Sequence, residues 1–499
     1  MSETSQQHVL DHRRAGVLLH PSSLPGPQAR GTIGQEARNF LHFMADCGLS
    51  VWQVLPLGPT HLDGSPYQCL SSHAGNPELI CLHWLHERQW LNATELRQAL
   101  GESSTAHALQ VAGQRFFASA DANWLSAFDD FRRDNGYWLD NYSLFMAIKD
   151  MQQQSAWTDW PKPLRLHHDQ ALAEVRQQHA DFIRGIEFTQ FVFFTQWSEL
   201  RDYARELDIL LFGDMPIYVA LDSACAWANK DAFLMRDDGS CSAVAGVPPD
   251  AFSETGQRWG NPLYDWDFHL GNGFQWWIER FRSQLKLFDL VRLDHFRGLE
   301  ACWHIPAEAD TAIDGEWVPT PGTELLEALH DAFDSLPLVA EDLGLITDEV
   351  LELRDAFALP GMAVLQFAFD GDSDNLYLPY NQTANTVVYS GTHDNNTTLG
   401  WYRALEDEAR LHLHHYLGLE DEARPDMPWP VNRLALACPA RLAVLPMQDL
   451  LGLDESHRMN TPGTIEGNWS WRMRWDMVWP QLAGDLRELV QLYGRLKPD

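Results

Sequence analysis

The sequence predicts an α/β protein, a (β/α)8 TIM barrel with large, mainly helical insertions on the barrel loops. Three observations predict it. Short apolar runs recur, and several stop at acidic residues, as in LVRLDHFRG (290–298), LPLVAEDLG (336–344) and NTVVYSGTHDN (385–395). The chain opens with strand–helix–strand alternation, the pattern of a parallel sheet. Its 499 residues exceed the roughly 250 of a minimal barrel, so insertions are expected.

RAGVLLHPSSLPG (14–26) reads as a first strand that leaves the core at His20 and breaks at Pro21. A helix follows over 37–48, with Phe40, Phe43, Met44 and Cys47 at helical spacing and Gly48 as its stop. The second strand lies in VWQVLPLGP (51–59). The alternation then pauses. Residues 60–80 are rich in turn formers, and 82–207 read as helices, with apolar faces at 139–152 and 188–208. Strands resume at DILLFGDMPIYVA (208–220), so 60–207 is expected to be a loop plus helical insertion within the barrel. A single catalytic barrel domain over 1–499 is the expectation that follows.

Residues 246–273 form a long stretch of Gly, Pro and aromatic residues. A loop of that length inside a compact domain is usually functional, and it is expected to act as an active-site lid, with 246–262 as the covering part. A helix over 274–288 leads into LVRLDHFRG. The apolar runs at 336–344, 362–369, 385–395 and 441–453 bring the strand count to about eight, enough to close a barrel. The stretch 454–475, with its Arg, Asn, Gly and Trp residues, lies just beyond the last strand and is expected on the same face.

Composition narrows the function. The net charge of −34 repels nucleic acid and anionic membrane and suits a neutral substrate. No apolar run reaches the roughly 18 residues of a membrane span, and the first residues lack the apolar core of a secretory signal. The seven cysteines are scattered, with no CxxC pair, which fits a reducing, cytoplasmic compartment. Tryptophan is abundant at 21 residues. Most of these rings are expected in the core, with a minority lining a groove where sugar faces stack.

Charge at the end of a buried strand is costly unless it pairs or acts. Arg292, Asp294, His295 and Arg297 crowd one such end, and Asp214, Glu341, Asp342, His393 and Asp394 occupy others. In a parallel barrel these ends share one mouth. The spacing of roughly 50 residues from Asp294 to Glu341, and again to Asp394, matches one or two strand–helix units.

Three acids around one mouth suit cleavage of a glycosidic bond. One ionised carboxylate stabilises the oxocarbenium-like centre and a protonated one serves the leaving oxygen. Arg292 shares a strand face with Asp294 and would keep it ionised, the state of a nucleophile. Glu341 follows an apolar run, where a raised pKa suits an acid/base. Asp394, with His393, is placed to bond the hydroxyls of a distorted sugar. Two alternatives stay open on these residues alone: a rim that binds a divalent metal, as in enolase-like barrels, and a non-catalytic glucan-binding site.

Taken together, GVLLHPSSLPG, QVLPLGPT, SPYQ (65–68), AGNP (74–77), GDMPIYV, GVPPDAFSETGQRWGNPLY, LVRLDHFRG, AEDLG, GTHDN and RMNTPGT resemble glycoside hydrolase family 77 of the α-amylase superfamily, the 4-α-glucanotransferases or amylomaltases. The resemblance runs from residue 16 to beyond 470. It implies a retaining double displacement on α-1,4-glucans, with Asp294 as nucleophile, Glu341 as acid/base and Asp394 as transition-state stabiliser. It further implies that Asp214, Arg292, His295 and His393 surround the reacting sugar, and that Tyr67, Asp250, Trp259 and Asn460 line neighbouring subsites. No cofactor and no metal are implied. The implied partners are maltooligosaccharides, amylose, glycogen-type chains and glucose, and the chain is expected to be a monomer or homodimer. An α-1,4-glucan hydrolase is the nearest alternative, since the same carboxylates serve both reactions. Two departures from the family pattern flank SPYQ. One is His61, Leu62, Asp63 and Gly64 where a Gly-aromatic-Gly segment is usual, and the other is Cys69, Leu70 and Ser71 where Ser-Phe-Ser is usual.

Overall fold

The computed structural model describes residues 10–102, 104–249, 253–420 and 425–497. Eight parallel strands form the centre: β1 (Arg14–Leu18), β2 (Val51–Gln53), β3 (Leu210–Pro216), β4 (Leu290–Asp294), β5 (Leu338–Ala340), β6 (Gly361–Val364), β7 (Thr386–Tyr389) and β8 (Leu442–Pro446). They neighbour one another in chain order, and β8 returns to pair with β1. The seam between β5 and β6 is joined by the Ala340 N–H, which donates to the Pro360 carbonyl at 2.8 Å. The (β/α)8 barrel is thereby nearly closed.

Alternation along each strand separates two apolar clusters. Leu18, Val51, Phe212, Leu290, Val339, Val364, Val387 and Val444 pack together in the interior. Val17, Trp52, Leu211, Leu293, Ala340, Ala363, Val388 and Leu445 pack outward against the helices. The interior set carries the site. Two residues above Phe212 is Asp214, and above Leu290 come Arg292 and Asp294. The same face that is apolar at the base becomes charged at the mouth.

The first helix spans Gln35–Cys47 and buries Phe40, Phe43, Met44 and Cys47. Gly48 ends it in the left-handed conformation, φ 75°, where a side chain would be strained. The segment between β2 and β3 is helical after residue 81, dominated by Ala122–Met151 and Ala180–Glu206 packed side by side. The second of these helices also anchors the loop that bears SPYQ. The amide of Gln190 exchanges hydrogen bonds of 2.8 and 2.9 Å with the backbone of Gly75, and Gln196 does the same with Cys81 at 2.8 and 3.2 Å. These buried amides are satisfied at both ends, so the loop is held in one position.

One feature differs from the sequence expectation. Among its described residues, the stretch 246–273 carries regular structure where an irregular loop was expected. Ala243–Val247 and Gln257–Pro262 pair antiparallel, and Trp266–Gly271 is a short helix. Two further strands, Ala301–Pro306 and Glu316–Pro319, extend the hairpin into a four-stranded sheet beside the barrel mouth. Gly and Pro hide these strands from a pattern of alternating side chains. Gly246 has a physical reason for its place, since a Cβ there would meet the Gln257 carbonyl at 2.1 Å.

Candidate active site

The parallel register explains how the charges meet. Asp214 on β3 lies directly beside Arg292 on β4. Nη1 of Arg292 is 2.8 Å from each oxygen of Asp214, and Nη2 is 2.8 Å from Asp294 Oδ1. One guanidinium therefore bridges two carboxylates. Asp214 is fully buried, while 27% of the Asp294 side chain remains accessible. Burial alone would weaken the Arg292 cation, but Asp214 and Asp294 outweigh it and raise its pKa well above the ordinary value. The charge of Asp214 is matched at once, whereas Asp294 keeps an open side toward the cleft.

On the other side of β4, Leu293 pairs with Ala340, so Asp294 and Glu341 follow as neighbours at the ends of adjacent strands. The chain turns sharply here. His295 adopts the left-handed conformation, φ 54°, at a cost of about 1–2 kcal/mol for a non-glycine residue. The turn aims its backbone N–H at Glu341 Oε2, 2.7 Å away, while the Leu343 N–H reaches Oε1 at 3.2 Å. Burial pushes the Glu341 carboxyl up to about 7, with Arg292 opposing and the charge of Asp294 reinforcing the shift. Burial also holds the His295 imidazole neutral, down to about 4, with Asp294 opposing.

Asp394 lies on the loop after β7. It is partly desolvated, which raises its pKa, but His393, Asn460 and Arg292 prevail and hold it below the usual carboxylate range. Asn460 Nδ2 donates to Asp394 Oδ1 at 2.7 Å, and His393 Nε2 lies 3.2 Å from Oδ2. Burial would lower the His393 pKa, yet the adjacent Asp394 raises it above its ordinary value. Tyr67 completes the ring of contacts. Its ring stacks on His393 with centroids 5.1 Å apart, and its hydroxyl donates to Asp214 Oδ2 at 2.7 Å. Burial and Asp214 push the Tyr67 pKa well above its usual value, so it stays a neutral donor.

An unbroken chain of contacts thus runs Asp394, His393, Tyr67, Asp214, Arg292, Asp294, and closes on Glu341 through the His295 backbone. The three acids lie around one mouth. Trp259, on the second strand of the hairpin, meets the His295 ring edge-on at 4.9 Å. Asp250 lies outside the described residues. Among the described residues no group of three or more His, Cys, Asp or Glu side chains is placed to hold a metal ion.

Sequence reasoning did not single out three residues that the structure adds. Trp469 packs against both Tyr67 and His393, with centroids 5.9 Å from each. Arg458 Nη2 donates to the Asp394 carbonyl at 3.0 Å. Tyr218 packs 6.2 Å from Trp259 and 6.3 Å from His295. Trp469 and Arg458 fall within the 454–475 stretch expected at this mouth, but nothing local distinguishes one tryptophan there from another. Tyr218 is the penultimate residue of the GDMPIYV segment, and its ring could have been suspected only from its nearness to Asp214.

A nearly closed parallel barrel whose C-terminal mouth gathers acids bridged by an arginine has the form of a TIM-barrel enzyme. Comparison with known proteins specifies which. The family model described as 4-alpha-glucanotransferase, glycoside hydrolase family 77, matches residues 19–477. The 4-alpha-glucanotransferase of Thermus thermophilus is 46% identical over 496 residues, covering 97% of this chain and 99% of that protein. The 4-alpha-glucanotransferase of a Synechocystis strain is 44% identical over 501 residues, covering 98% and 99%. The amylomaltase of Streptococcus agalactiae, solved in complex with acarbose, superposes with a TM-score of 0.93 at 35% identity, covering 97% of this chain and all of that one. The chain belongs to the 4-alpha-glucanotransferase family.

Proposed function

We propose that this chain is a 4-α-glucanotransferase that moves a segment of an α-1,4-glucan to the 4-OH of a second glucan or of glucose. The observation that carries the mechanism is the division of labour among three acids in three environments. Asp294 pairs with Arg292 and stays open to the cleft, so it attacks the anomeric carbon. Glu341 holds its proton up to about pH 7, so it protonates the glycosidic oxygen as that bond breaks. The leaving chain departs with the proton, and the donor segment stays bonded to the Asp294 carboxylate. The acceptor 4-OH then gives its proton to Glu341 and attacks the same carbon, which releases Asp294 and preserves the α configuration.

Asp394, steadied by Asn460 and His393, bonds the hydroxyls of the distorted sugar. Tyr67, Asp214, Arg292, His295 and His393 wall the reacting unit. The antiparallel pair Ala243–Val247 and Gln257–Pro262, with Trp259 against His295, closes over the intermediate and excludes water, which favours transfer over hydrolysis. The chain acts as one catalytic unit, with 60–207 as an insertion that steadies Tyr67. Glucose and neutral maltooligosaccharides suit a site whose charges are matched internally. All seven cysteines are free, which fits a reducing cytoplasm. No helix among the described residues is long and apolar enough to cross a membrane.

Incubation with maltotriose and thin-layer chromatography of the products tests the function. Transfer gives a ladder of longer and shorter oligosaccharides with little gain in reducing ends, abolished in Asp294→Asn. A strong rise in reducing ends without longer products would make the protein a hydrolase. Intact maltotriose would make it a binding protein.

A further inference from the structure

Asp449 lies just past the end of β8, 1% exposed, in the helical turn Met447–Leu450. Its carboxylate takes hydrogen bonds from both ends of the loop that bears His393 and Asp394. The Ser390 hydroxyl donates to Oδ2 at 2.7 Å. At the far end, the Thr398 backbone N–H donates to Oδ1 at 2.7 Å and its hydroxyl to Oδ2 at 2.6 Å. Ser390 and Thr398 are themselves fully buried. One side chain therefore clamps the two points where the loop leaves and re-enters the fold.

The clamp is held from behind. Asn432 Nδ2, on the helix Trp429–Ala437, donates to the Asp449 carbonyl at 3.0 Å. From the opposite side Gln366, just past β6, donates to the Asn396 carbonyl at 2.9 Å. The loop thus spans a gap whose width is set by β6 and β8, the strands on either side of β7. The three donors to Asp449 are all neutral, so the arrangement is not an ion pair. A buried carboxylate without a cation is costly. Three short bonds that converge on the catalytic loop give it a reason to be there.

We infer that Asp449 is a positioning residue, whose carboxylate fixes the 390–398 loop so that Asp394 meets the sugar in the transition state. This rests on the reading of Asp394 given above. Asp449 touches no substrate itself. Its loss displaces Asp394 without removing it, and misplacement by about 1 Å is enough to cost on the order of 100-fold in rate.

The test compares Asp449→Ala, Asp449→Asn and Asp394→Asn with a destabilised control, Leu486→Ala in the helix Leu482–Leu492, all assayed well below their Tm. Asp449→Ala should lower kcat by about 10- to 100-fold with KM for maltotriose little changed, because the contact that is lost acts in the transition state. Asp449→Asn should recover part of the loss, since its carbonyl still accepts from Thr398 while the two hydroxyls turn to accept from its amide. The control should keep its kcat for a comparable fall in Tm. An active-site titre showing Asp449→Ala within about twofold of the parent kcat, beside an inactive Asp394→Asn, overturns the inference alone. Full activity in Asp394→Asn removes the underlying reading and the inference with it. Should Asp449→Ala not fold, Ser390→Ala and Thr398→Val each delete one bond of the clamp; a selective fall in kcat supports the inference, and full kcat in both overturns it.

Discussion

The backbone N–H of His295 donates to Glu341 Oε2 at 2.7 Å, so the residue that follows the proposed nucleophile, Asp294, also holds the proposed acid/base in place. The two carboxyls proposed to flank one glycosidic bond are thereby coupled through a single turn of backbone. Movement of β4 would carry both. The same turn leaves the Asp294 carboxylate free to pair with Arg292, while burial pushes the Glu341 carboxyl up to about 7.

A first prediction concerns pH. Glu341 is raised to about 7 by burial, and the proposed mechanism needs it protonated to start the reaction. The kcat/KM for maltotriose should therefore fall above about pH 7, tenfold per unit, as the free enzyme loses that proton. Glu341→Gln should lose about 100- to 10,000-fold in rate on maltotriose, with the basic limb gone. An α-maltosyl fluoride donor, whose leaving group needs no proton, should still load that variant. A pH–rate series on both donors checks this.

Stability should move with the same group. A carboxyl whose folded pKa lies above its unfolded value favours the fold at low pH, and that contribution is lost as pH rises through the folded pKa. The window for Glu341 runs from its ordinary 4.5 to about 7. Glu341→Gln should accordingly raise Tm relative to the parent at pH 8, and much less at pH 5. Thermal melts at the two pH values measure the difference, and an equal shift at both would contradict it.

Arg292 carries a larger consequence. Arg292→Met removes the cation bonded to fully buried Asp214 and leaves that carboxyl without its match. Loss of one partner from a buried pair costs about 3–5 kcal/mol. Urea unfolding should show a loss of that size, and the double variant Arg292→Met with Asp214→Leu should recover part of it. Activity should not return, because Asp294 still lacks its partner.

The hairpin makes a separate prediction. Trp259→Ala opens the contact with His295 and should raise hydrolysis relative to transfer on maltotriose. Reducing-end gain and product redistribution measured together give the ratio. An unchanged ratio would remove the hairpin from the exclusion of water.

Much of this was legible in the sequence, for physical reasons. Leu290, Val291 and Leu293 are apolar and Arg292 and Asp294 charged on alternate positions, so strand, inward face and ion pair could be read from five residues. Glu341 after Leu338, Val339 and Ala340 announced a carboxyl at the end of a buried strand, and its raised pKa follows from that burial. The antiparallel sheet was not legible. Ala243–Val247 and Gln257–Pro262 are short, and close backbone approach at Gly246 replaces side-chain alternation there. The clamp on Ser390 and Thr398 was equally hidden, since a buried Asp449 in PMQDLLGL looks like any polar residue after a strand. Only the meeting of β7 and β8 gives it partners.

Covalent trapping tests the central claim most directly. Glu341→Gln incubated with α-maltosyl fluoride should form a glucan ester that deglycosylates slowly, because the general base is gone. Intact-protein mass spectrometry should then show the added maltosyl unit, and peptide mapping should place it on Asp294. A protein that turns over this donor with no covalent adduct, or carries the adduct on another residue, would contradict the account.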